Sequence, residues 1–142
     1  MPNGNGRIKL SANFWHDEFE CSCGCGDGIV SNDLIELLQA LRVAVGPLLV
    51  TSGIRCKSYN KRIGGAGRSW HCPRNGVSYA ADITYLHKDD RTDYSILKLW
   101  VLADLSGAKG IGLYKGRLHV DQRPTEKARW IDKSWAWKSD TE

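Results

Sequence analysis

"GIGLYKGRLHVDQR", residues 110–123, reads as two strands joined by a two-residue turn, with Lys115-Gly116 at the bend. Successive side chains of a strand point to opposite faces. Arg117, His119, Asp121 and Arg123 therefore share one face, and Leu118, Val120 and Gln122 take the other. The apolar pair Leu118 and Val120 suits a core, which turns His119 and Asp121 together toward a polar surface. By itself the stretch leaves two readings open, a functional site or a solvated strand face with a chance His-x-Asp. In either case it calls for a small antiparallel sheet.

The segments before it supply helices and further strands. "DYSILKLWVLADLSG" places Leu97, Trp100, Val101 and Leu105 on one helical face and ends at Gly107. "AADITY", residues 80–85, is a strand candidate, and "NKRIGGAGRS" reads as loop because Gly64, Gly65 and Gly67 disfavour both regular structures. "LLVTSG" reads as a short buried strand ended by Gly53. Leu34, Leu37, Leu38 and Leu41 fall at i, i+3, i+4 and i+7, one apolar stripe of a helix capped by Ser31 or Asp33 and stopped at Gly46-Pro47. Three tryptophans in the tail "RWIDKSWAW" are expected to pack back on the body. The resulting expectation is an α+β fold, one domain over 13–142 with a small antiparallel sheet flanked by helices, after a flexible segment 1–12.

A chain of 142 residues with 42% hydrophobic side chains is one domain able to bury a core. No apolar run approaches the ~20 residues that span a bilayer, and the first residues lack the apolar stretch of a secretory signal. The expectation is therefore a monomer made in the cytoplasm, without membrane insertion. Net charge is +4, but no block of like charges stands out, so nucleic acid is not an expected partner. A mild positive charge equally suits an anionic polymer such as a bacterial cell wall. Five cysteines are present, Cys21, Cys23, Cys25, Cys56 and Cys72. Three fall in "CSCGCG", where free thiols, a disulfide to Cys56 and a bound metal all remain open.

Four histidines exist, and His16 and His87 read as surface residues. His71, Asp82 and His119 form a set of two imidazoles and one carboxylate, the kind that binds zinc and leaves a fourth position for water. "NFWHDEFECSCGCG", "VTSGIRCKSYNKRIGGAGRSWH", "AADI" and "GIGLYKGRLHVDQR…ARW", in that order, resemble the peptidase M15 family of zinc D,D-carboxypeptidases and L-alanyl–D-glutamate endopeptidases. The similarity runs over residues 13–130. It implies the fold of D-Ala-D-Ala carboxypeptidases and hedgehog signalling domains, one zinc ion per chain, and hydrolysis of peptidoglycan stem peptides. It also implies action on the wall after phage lysis or non-classical export.

By the same resemblance His71, Asp82 and His119 are the zinc ligands, Arg55 faces the scissile carbonyl or a substrate carboxylate, and Ser69 hydrogen-bonds substrate near the metal. Two departures stand out. "CPRN" reads as an insertion between His71 and Asp82, and Gly116 occupies the position where some members carry an acidic general base. Asp121 then becomes the candidate base, with orientation of a ligand imidazole as its competing role. The rival functions are a non-catalytic zinc module of the same fold and a zinc-binding nucleic-acid protein built on "CSCGCG".

Overall fold

A computed structural model of the chain describes residues 6–135. In chain order its elements are β1 (Ile29–Val30), α1 (Asn32–Val45), β2 (Leu48–Ser52), α2 (Lys57–Arg62), β3 (Val77–Ser78), β4 (Ala80–Tyr85), α3 (Asp93–Leu105), β5 (Gly110–Tyr114), β6 (Arg117–Asp121) and β7 (Ala128–Ile131). Five strands form one sheet in the order β2-β4-β6-β5-β7, and β1 pairs with β3 in a separate ribbon. The fold is α+β. Its main sheet is antiparallel except at one edge, where β7 runs parallel to β5, a pairing that local periodicity cannot reveal because residues 115–127 intervene. No described helix is long and apolar enough to cross a membrane.

The leucine stripe forms as expected. Ser31 caps α1 by accepting from the Leu34 amide, and Leu34, Leu37, Leu38 and Leu41 are buried together with Ile35. Each such side chain contributes about 1.5–3 kcal/mol by leaving water. Ile96, Leu99 and Ala103 of α3 are buried beside them, whereas Val101 and Leu105 are exposed. The expected face of α3 is therefore rotated. Apolar residues surround this helix, so its own pattern does not choose a stripe, and α1 and the sheet select the one that ends on small Ala103.

Two further expectations change. Only Leu48 of β2 is buried, because β2 is an edge strand with one neighbour. Asn60, Lys61 and Arg62, expected in loop, belong to α2, whose start is capped by the Cys56 sulfur accepting from the Tyr59 amide. Residues 6–12 are tied to the body: the His16 amide donates to the Ile8 carbonyl, and Leu10 packs against the core. Trp135 is buried as expected of the aromatic tail, and Trp137 lies outside the described residues.

Register positions the site. Ala81, Ile83, Ile111, Leu113, Leu118 and Val120 pair with one another on the helix-covered side of the sheet. On the other side one row crosses all five strands, in which Ser52 pairs with Asp82, Asp82 with His119, His119 with Gly112, and Gly112 with Trp130. The next row holds Ala80, Asp121, Gly110 and Ala128. Period-two alternation thus gathers Ser52, Asp82, His119 and Asp121, from three strands, on one face.

Candidate metal centre

Asp82 and His119 are cross-strand partners, while His71 arrives from the loop after α2. That loop is fixed by its backbone. The His71 carbonyl accepts from the Arg55 amide and the Ser78 hydroxyl, and its amide donates to Ser69 Oγ. Ser69 thus holds the turn and also lines the cleft. The "CPRN" insertion folds outward, where the Arg74 guanidinium stacks 3.4 Å over Trp70.

His71, Asp82 and His119 are buried, at 2%, 5% and 7% exposure, and their ligand atoms lie within 4.8 Å of one another. Hydrogen bonds fix which ring nitrogens face inward. His71 Nδ1 lies 2.7 Å from the Gly53 carbonyl, which can only accept, so Nδ1 carries the proton and Nε2 presents a lone pair. His119 Nε2 lies 2.7 Å from Asp121 Oδ2 and donates to it, leaving the Nδ1 lone pair inward. Both lone pairs face Asp82 Oδ1, at 3.2 and 3.0 Å. Three acceptor atoms therefore converge with no proton of their own between them, the donor set that a cation takes. Two imidazoles and a carboxylate suit zinc, with one position left open.

With no cation at the centre, a proton can take its place between the rings and the carboxylate. Burial would raise the Asp82 carboxyl, but hydrogen bonds from His119 and His71 in that protonated state outweigh it and hold the carboxyl below the usual carboxylate range, so a cation binds here by displacing the proton. Burial lowers His71, whereas His119 is raised, because Asp121 and Asp82 together overcome its desolvation. The two rings differ because one faces a single carboxylate and the other faces two.

Arg55 serves Asp82 directly. Its Nη2 donates to Asp82 Oδ2 at 3.0 Å, its Nε to Ser52 Oγ at 2.9 Å, and its Nη1 contacts Asn60 Oδ1 at 3.4 Å. These contacts use three of the five N–H groups of a guanidinium, and Arg55 also lines the cleft.

Asp121 departs from its expected place. It is fully buried behind the His119 ring and does not line the cleft. Its oxygens accept from His119 Nε2, from Arg123 Nε and Nη2, and from the Arg123 amide. Burial would raise this carboxyl, but the Arg123 and His119 hydrogen bonds keep it below the usual range. Sharing a face with His119 is correct, but the ring turns its Nδ1 inward and leaves Asp121 on the outer side.

Glycines make room for this arrangement. A Cβ on Gly110 would collide with the Asp121 carboxylate, and one on Gly112 would collide with the Trp130 ring. Trp130 in turn lies 4.9 Å from the His119 ring. A cleft of about 620 Å³ opens over the cluster, with Trp70, Tyr114, Arg117, Arg123, Trp130 and Asp132 among its walls. Sequence reasoning missed these residues. For Arg123, the shared strand face with His119 was the available signal.

A sequence model of the family described as Peptidase M15 matches residues 12–121. No curated protein matches the chain.

Proposed function

The chain belongs to the peptidase M15 family, a family of metallopeptidases, and from that premise we propose a zinc-dependent enzyme that hydrolyses peptide bonds in peptidoglycan stem peptides. The observation that carries the reading is the convergence of His71 Nε2, Asp82 and His119 Nδ1, with fixed tautomers, at the floor of an open cleft. These three residues would hold the zinc. When bound, zinc supplies an acidified water and polarises a carbonyl.

The protein's own groups do the rest. Gly53 and Asp121 hold the two imidazoles in their ligand tautomers. Arg55 orients Asp82 and keeps N–H groups to meet the oxygen that becomes negative as the carbonyl is attacked. Arg68, Arg117 and Arg123 line the same cleft, which suits stem peptides because they carry free carboxylates. Trp70 and Trp130 flank Arg123, each 5.7 Å from its guanidinium, and give the wall a rigid surface for a bound peptide. Apart from Asp82, the carboxylate lining the cleft among the described residues is Asp132, and the proton-accepting role falls to it.

Mass spectrometry of purified peptidoglycan after digestion tests the reading. Cleavage within stem peptides is expected. Asp132→Asn should lose at least ~100-fold in rate while retaining zinc. Unchanged muropeptides from zinc-loaded protein would favour a non-catalytic zinc module instead. The expected setting, release to the wall during lysis, belongs to the same proposal.

A further inference from the structure

A second cluster lies outside the cleft. Cys21, Cys23, Cys25 and Cys56 place their sulfurs within 4.8 Å of one another. Cys21 and Cys23 Sγ are 3.3 Å apart, and Cys23 and Cys56 Sγ 3.6 Å. A disulfide needs about 2.05 Å, and all five cysteines are free. A tetrahedron of thiolates around one ion at ~2.3 Å has edges near 3.8 Å, the scale found here.

The chain is shaped to bring these sulfurs together. In "CSCGCGDG" the ligand residues alternate with small ones, and Gly24, Gly26 and Gly28 all adopt positive φ, so the loop coils tightly. The Gly24 amide closes a turn on the Cys21 carbonyl. The fourth sulfur comes from Cys56, 33 residues beyond Cys23. Backbone amides of Cys56, Tyr59 and Asp27 donate to the sulfurs of Cys21, Cys56 and Cys25, as befits thiolates. Four cysteines so placed also account for the odd count, since Cys72 stands apart.

We propose that Cys21, Cys23, Cys25 and Cys56 bind a second, structural zinc ion. Four protein ligands close the shell, whereas the His71–Asp82–His119 set leaves a position open. Soft thiolates in a tetrahedral set suit zinc. The site clamps the N-terminal segment to the stretch of chain between Ser52 and Cys56. Cys56 directly follows Arg55, and the Ile54 amide already donates to the Phe19 carbonyl. The thiolate zinc therefore braces the segment that supplies Gly53 to His71 and Arg55 to Asp82.

The test is metal content of the full chain, which does not depend on peptidase activity. Wild type should hold about two zinc ions, and both a His71→Ala/His119→Ala variant and a Cys23→Ser/Cys25→Ser variant about one. Cobalt loaded into the histidine variant should show intense thiolate-to-metal absorption, and chelation should expose the four thiols to a thiol reagent. Cys25→His, which keeps a ligand, should retain the metal with an altered cobalt spectrum, and it serves if the serine variant does not fold. A histidine variant free of zinc, or wild-type cysteines found oxidised in pairs by mass, would overturn the proposal.

Discussion

Replacing Asp121 by Asn keeps the shape of the side chain and removes its charge, and the buried hydrogen bonds around it determine the cost. The carboxylate accepts from His119 Nε2 at 2.7 Å and from Arg123 at 2.8 and 2.7 Å, all within a fully buried position. An amide offers one acceptor oxygen and one donor nitrogen, so it cannot satisfy both partners. If its nitrogen faces His119, the ring moves its proton to Nδ1 and the inward lone pair is lost. If its nitrogen faces Arg123, two donors are forced together. Loss of such a partner to a ligand imidazole weakens metal binding by ~10–100-fold, or about 1.4–2.8 kcal/mol. Competition against a chromogenic chelator would measure this, alongside peptidoglycan hydrolysis with and without excess zinc. Weakened zinc binding with activity restored by added metal is expected. Full zinc affinity with activity lost beyond rescue would refute the reasoning and return Asp121 to the role of base.

Gly110→Ala sets a methyl group against the same carboxylate, so it should destabilise the fold by about 1–3 kcal/mol in urea unfolding and also weaken zinc. Arg55→Ala removes a bond to Asp82 Oδ2 and a cleft-lining donor together. It should cost about 2–4 kcal/mol of transition-state stabilisation, read as the fall in kcat/KM, and zinc affinity should fall as well. Acid should unfold the chelator-treated protein partly through Asp121, alongside Asp82, whose carboxyl is held down in the same way. The folded pKa of Asp121 lies below the ordinary value, so its contribution is complete above about pH 4 and is lost as the pH falls further. The urea midpoint of wild type should therefore drop more between neutral pH and pH 3 than that of Asp121→Asn.

What could be read from the residues divides along a physical line. Period-two alternation in Arg117–Asp121 placed His119 opposite Leu118 and Val120, and α1 declared its stripe through four leucines. Both are local patterns, repeated within a few residues. The face of α3 was not legible because apolar residues surround it, and only contact with α1 and the sheet chooses among stripes. The parallel edge strand β7 and the wall it brings, Trp130 and Asp132, depend on a pairing with β5 that no spacing encodes. For Asp121 the face was legible but not the ring rotation, which rests on the Nε2 hydrogen bond and on the space left by Gly110. Proximity on a strand did not distinguish a group in front of the ring from one behind it.

The central claim is a catalytic zinc held by defined atoms, and a zinc-edge anomalous difference map from a crystal of the metal-loaded protein tests it most directly. The account predicts a peak ~2.0–2.2 Å from His71 Nε2, His119 Nδ1 and an Asp82 oxygen, with the fourth side open to the cleft. Absence of a peak there, or zinc bound through His119 Nε2 with Asp121 as a ligand, would contradict it.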